Sequence, residues 1–145
     1  MPEFTPYRIE AEIEDVVRRF ESCTYTPEEF FHARHLTVAA WYFLQLDFDA
    51  AAERMSESLR RFIRHHGKMG YHETITAFWL RLVGHHVRKA RENASHRDVV
   101  TIVNAIMSRL ADKNLIYEHY SRELIGSPDA KARCVAPDLK PLGES

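Results

Sequence analysis

Apolar residues recur along this chain at intervals of three and four, with no run of alternating apolar and polar positions. Ile9, Ile13, Val16, Val17 and Phe20 predict an amphipathic helix that ends near Ser22. Thr26, Pro27 and Glu29 then form a proline-led capping box. The threonine hydroxyl and the glutamate carboxylate each satisfy a backbone amide, and proline has no amide to lose in the first turn. A second helix is therefore expected from Thr26 to about Leu46. Phe48, Ala52, Met55, Leu59, Phe62 and Ile63 predict a third, stopped by Gly67. After a short loop, Ile75, Phe78, Trp79, Leu82, Val83 and His86 predict a fourth, from about His72 to Arg91. Ser95 with Asp98 reads as another capping box, opening a fifth helix through Val99, Val103, Ile106 and Leu110. A sixth is expected over Leu115 to Ile125, though its apolar phase is uneven. A short turn at Ser127-Pro128-Asp129 follows, and Pro137 and Pro141 imply an extended tail.

The predicted fold is all-α: one domain over residues 1–145, an antiparallel bundle of five to six helices with a tail from about residue 127. Short connections make consecutive helices neighbours of opposite direction. The second helix is apolar around most of its circumference between Val38 and Leu44, as a helix covered on several sides must be, and is expected at the centre. A chain of 145 residues can bury roughly 70% of its unfolded surface, so the fold requires no metal or disulfide staple.

Charge narrows the partners. Twenty basic residues balance 21 acidic ones, giving a net charge of −1. This gives no electrostatic case for nucleic acid or an anionic membrane. The basic stretch Arg60, Arg61, Arg64, His65 and Lys68 shares its helix with Glu53 and Glu57 and reads as a solvated face. The acidic, proline-interrupted start lacks the pattern of a signal peptide, and Val38–Leu44 is far too short to span a membrane. A cytoplasmic location is expected, with Cys23 and Cys134 as reduced thiols.

Nine histidines are the unusual feature. On the second helix, Glu28, His32, His35, Leu36, Ala39, Phe43 and Leu46 share one side. His66 ends the apolar row of the third helix, and His72 begins that of the fourth. In an up-down bundle these helix ends meet at one pole, so His32, His35, His66 and His72 are expected to converge there, with Glu28, Glu29 and Glu73 as nearby carboxylates. Neutral imidazole binds divalent transition metals. Two histidines with a carboxylate and open positions suit zinc or non-haem iron. His32, His35 and His72 are the first candidates for metal ligands, with His66, Glu28 and Glu73 in support. His72 and Glu73 are the candidates for acid–base chemistry.

Local motifs limit this chemistry. His72-Glu73-Thr74-Ile75-Thr76 begins like the H-E-x-x-H of zinc proteases, but Thr76 replaces the second histidine. Glu29-Phe30-Phe31-His32 is a single Glu-x-x-His unit, whereas a di-iron bundle needs two. No phosphate loop, dinucleotide fingerprint or nucleophile elbow is present in the sequence. Trp41, Phe43, Phe78 and Trp79 fall at helical spacing among aliphatics and read as core. Tyr117, His119, Tyr120, Ser121 and Arg122 either cap the pocket or solvate the last helix.

The segments FFHARHLTVAAWYFL, GYHETITAFW and LADKNLIYEHYSRELIGSPDAKARCVAPDL together resemble a family of short, uncharacterised bacterial helical proteins with no assigned activity. The resemblance covers about Tyr25 to Leu142. It implies that His32, His35, His72, Glu73 and the Tyr120-Ser121-Arg122-Glu123 segment belong to the family pattern.

Two functions remain open. One is a histidine-lined pocket that takes a divalent metal (zinc or iron) and acts on a small molecule. The other is a non-catalytic binding or self-association module, forming a homo-oligomer, in which the histidines bond internally.

Overall fold

A computed structural model describes residues 5–93 and 98–143. All regular structure among them is helical: α1 (Glu10–Glu21), α2 (His32–Gln45), α3 (Phe48–His65), α4 (Glu73–Asn93), α5 (Val99–Arg109), a 3₁₀ turn (Leu115–Glu118), α6 (Arg122–Ile125) and α7 (Pro128–Ala132). The predicted all-α class is the observed one. Ser95, read as a capping residue, lies outside the described residues; Asp98 caps α5, accepting from the Thr101 amide at 2.8 Å.

Helix α2 packs against α1, α3, α4 and α5, with Val38 and Ala40 fully buried. A helix that contacts four others has little face left for polar residues, which explains its continuous apolar run. Its one fully buried polar side chain, Thr37, bonds to the Ala33 carbonyl at 2.8 Å and meets the Tyr7 hydroxyl at 2.9 Å. Asn104 of α5 holds the Tyr7 backbone by both its amide and its carbonyl.

The stop at Gly67 is the one expected. Gly67 has φ 69°, its amide bonds to Arg64 O, and the Lys68 amide bonds to Ile63 O. The same two bonds close α1, from Cys23 to Phe20 and from Thr24 to Arg19, but here Cys23 holds the left-handed position at φ 58°.

Two predicted helices are broken. The Thr26–Glu29 capping box forms as expected, with the Glu29 amide 3.1 Å from Thr26 Oγ1 and the Thr26 amide 2.9 Å from Glu29 Oε1. It serves only one turn, because the chain becomes extended at Phe31 (ψ 177°) and α2 begins at His32. The break sends Phe30 into the core, where its ring stacks 4.4 Å from Phe20 and lies 5.2 Å from Phe62. Burying a phenylalanine contributes roughly 2–3 kcal/mol, more than the one or two helical bonds forgone. The predicted sixth helix likewise splits at Tyr120. That side chain is 2% exposed, and its hydroxyl donates to Val135 O at 2.8 Å. Ser121 then restarts the chain as the cap of α6, while its own amide and hydroxyl bond to Asp138.

Phe78, Ile116, Tyr120 and Ile125 form a second, smaller core beside the main one. The tail runs back over it: Thr74 Oγ1 donates to Arg133 O at 2.8 Å and accepts from the Val135 amide, and the Leu139 amide bonds to His119 O. Phe48, expected on the core face of α3, is 50% exposed and lies at the surface against Phe43.

Candidate functional site

A cavity of about 570 Å³ opens between α2, α3, α4 and the 3₁₀ turn. Leu36, Ala39, Met55, Leu59, Trp79 and Val83 supply much of its wall, and His32, His35 and His72 all border it. The convergence predicted from helical phase therefore holds for these three. It does not extend to the other candidates. Glu28 is exposed on the turn before α2 and is absent from the cavity wall. Because the helix breaks at Phe31, the phase that would have carried Glu28 into line with His32 is lost. Glu73 points to Tyr71, whose hydroxyl donates to Oε1 at 3.0 Å, and it too is absent from the wall. His66 packs 4.6 Å from the Phe62 ring, outside the cavity wall, with Nε2 buried and without a hydrogen bond among the described residues.

The three cavity histidines do different work. His72 immediately precedes α4, and its Nδ1 accepts the Ile75 amide at 3.1 Å, in the manner of a helix-capping side chain. Its Nε2–H donates to Ile125 O at 2.7 Å, tying α6 to the start of α4. Both ring nitrogens are used, and the accepting Nδ1 fixes the neutral Nε2–H tautomer. His32 donates from Nε2 to Leu110 O at 2.8 Å and meets Trp79 edge-on at 4.6 Å. This bond anchors the end of α5 to the start of α2.

His35 is different. Its Nδ1–H donates to Phe31 O at 3.1 Å, which leaves Nε2 as an acceptor with no hydrogen bond among the described residues. The ring lies 4.1 Å from that of Phe30, which borders the same cavity. Burial lowers its pKa to about 4, the bond to Phe31 O opposes that shift, and nearby His32 adds a small further lowering. At neutral pH it therefore presents a lone pair to a largely apolar space. Polar groups at the margin are few: Tyr71, Thr76, Lys113, Asn114 and Tyr117.

Among the described residues, no group of three or more His, Cys, Asp or Glu side chains is arranged to hold a metal ion. For His72 to become a ligand, α4 would lose its cap or its tie to Ile125. The acid–base pairing of His72 with Glu73 meets a similar obstacle: one ring is fully bonded to the backbone, and the other side chain faces Tyr71. The tail beyond residue 127 contributes nothing to the wall of this cavity; Cys134 and Leu142 line a different groove, across α4. Of the Tyr117–Arg122 cluster, Tyr117 alone reaches the cavity, with the Arg122 guanidinium 4.0 Å over its ring.

The role of Phe30 had no local signal, because its burial depends on Phe20 and Phe62, both distant in sequence.

No protein-family model, curated protein or solved structure matches the chain.

Proposed function

We propose that the protein binds a small, largely apolar molecule carrying one hydrogen-bond donor, held in the α2–α3–α4 cavity with that donor on His35 Nε2. The observation that carries this reading is the unpartnered Nε2 of His35 beside an apolar space of about 570 Å³, within the size range of small-molecule sites. A hydroxyl or amide on the ligand supplies the bond that His35 lacks. Binding without catalysis fits a site whose other two histidines are committed to helix ends.

The test compares a phenol, or a short aliphatic alcohol, with its methyl ether, following the Trp79 and His35 signals by fluorescence and NMR. The donor-bearing molecule is expected to bind about tenfold more tightly, since a buried hydrogen bond contributes on the order of 1 kcal/mol or more. That preference disappears in His35→Leu. Equal binding of the ether, or no response of Trp79 and His35 to any such probe, removes the proposal.

A second reading has one observation in its favour: His32, His35 and His72 border the same cavity. A zinc or iron ion bound there would draw on all three. The loss of one or two backbone hydrogen bonds, about 1 kcal/mol each, is small beside the 10 kcal/mol or more that a structural zinc site contributes. Elemental analysis of untagged protein, with His35→Ala and His72→Ala beside it, separates the readings. Substoichiometric metal in all three, with stability unchanged on chelation, eliminates the metal.

A further inference from the structure

Helix α4 has a second groove on its opposite side, of about 660 Å³, and its chemistry differs from that of the histidine cavity. The apolar part comes from Phe43, Phe48, Phe78, Val87 and Leu142. Gly84 shapes the floor: a Cβ there would sit 2.6 Å from Phe48 Cε2 and 3.0 Å from Phe43 Cε1, so only glycine lets the Phe48 ring lie so close to α4. Phe48 and Leu46 remain 50% and 36% exposed, an apolar surface that no described residue covers.

Beside this floor runs a row of cations. Arg81, His85 and Arg88 follow one another at four and three residues and so share a helix face, with Arg91 one further turn along. Each arginine spends one donor on a neutral acceptor: Arg81 on Gly143 O at 3.1 Å, Arg88 on His85 Nδ1 at 3.3 Å, and Arg91 on Leu44 O. None pairs with a carboxylate among the described residues. The single acidic residue in the lining, Asp47, already accepts the Ala50 amide as the cap of α3. His85 reflects its surroundings: burial lowers its pKa first, and Arg88, Lys89 and Arg81 lower it further against an opposing Glu92. A guanidinium has five donors in a planar fork that matches a carboxylate. Three such groups, none in an ion pair among the described residues and outnumbering the one carboxylate in the lining, lie beside exposed Phe48 and match a ligand that is anionic at one end and apolar along the rest.

We infer that this groove binds a single-chain amphiphile with a carboxylate head, the head on the Arg81–Arg88 row and the chain over Phe43, Phe48 and Phe78. The inference is independent of the histidine cavity, which lies across α4.

The test titrates the full chain with dodecanoate below its aggregation threshold, using calorimetry and amide NMR. Dodecanoate should bind and shift the Gly84 and Phe48 amides. Arg88→Glu combined with Arg81→Gln should weaken it at least about tenfold, since both side chains are exposed and each would contribute charged hydrogen bonds to the head. Arg64→Glu, remote from the groove, should leave the affinity within about twofold, and dodecanol should bind at least about tenfold more weakly than dodecanoate. The inference is overturned if dodecanoate does not bind, if dodecanol binds equally well, or if Arg64→Glu weakens binding as much as the groove variants. It is overturned equally if a hexaglutamate peptide binds as tightly as dodecanoate, because charge alone would then account for the affinity.

Discussion

The Phe30 ring lies 4.1 Å from the imidazole of His35, tilted by 36°. In an unbroken helix, side chains five residues apart point about 140° away from each other. The contact therefore exists only because the chain is extended at Phe31, and the same break that buries Phe30 also removes water from one face of the histidine.

That enclosure makes stability depend on pH in a defined window. The His35 pKa is about 4 in the folded protein and 6.5 when unperturbed, so the unfolded chain holds more protons between those values. Stability from the neutral ring is complete above about pH 6.5 and falls as pH drops towards 4, by roughly 3 kcal/mol in all. Urea midpoints of wild type and His35→Leu at pH 7 and pH 4.5 check this. The variant should lose less than half as much stability as wild type on acidification, and equal losses would refute the assignment.

His72 should behave as a structural residue with two separable parts. His72→Ala removes the helix cap and the tie to Ile125, and should cost about 2 kcal/mol. His72→Asn restores an acceptor for the Ile75 amide and should recover about half of that. Hydrogen exchange distinguishes the parts: asparagine should restore protection at Ile75 and its neighbours in the first turn of α4 while leaving α6 loosened.

Tyr42 carries a third prediction. Its hydroxyl donates to Glu21 Oε2 at 2.5 Å, and Arg54 meets the same carboxylate oxygen at 3.0 Å. Burial, with the Glu21 hydrogen bond and charge adding to it, raises the phenol pKa to about 12. The folded state thus holds an extra proton between pH 10 and 12, and stability is lost as pH rises through that range. Tyr42→Phe should cost about 1–2 kcal/mol at pH 7 and should remove the last tyrosine to ionise in an ultraviolet titration.

Cys23 is predicted to be replaceable with profit to the fold. At φ 58° it occupies a position where a side chain costs roughly 1–2 kcal/mol relative to glycine. Its partly buried thiol returns some of that by packing on the core. Cys23→Gly should raise stability by roughly 0.5–1 kcal/mol, measured by urea denaturation, and a net loss would mean that thiol packing dominates.

The parts of the fold legible in the sequence are those where local pattern and tertiary packing agree. Val16, Val17 and Phe20 on α1, and Met55 and Phe62 on α3, fall at helical spacing and are buried as that spacing requires. The breaks at Phe31 and Tyr120 were not legible, because each depends on a partner distant in sequence: Phe20 and Phe62 for Phe30, and Val135 for Tyr120. Helical phase placed His32, His35 and His72 around one space, but it could not assign their nitrogens, since the carbonyls they bond to include Leu110 and Ile125, which are far along the chain. The arginine row had a readable signal in the spacing of Arg81, His85 and Arg88 around Gly84. Arg88 and Arg91 look like solvated ends of an amphipathic helix until Phe43, Phe48 and the tail are placed beside them.

Helix α4 is a party wall: Thr76, Trp79 and Val83 face the histidine cavity, while Phe78, Gly84 and Arg88 face the groove. Close-packed interiors transmit small displacements instead of absorbing them, so a ligand that moves this helix enlarges one compartment at the expense of the other. Two ligands that each moved this helix would have their occupancies linked by a single free energy, identical whichever side is filled first.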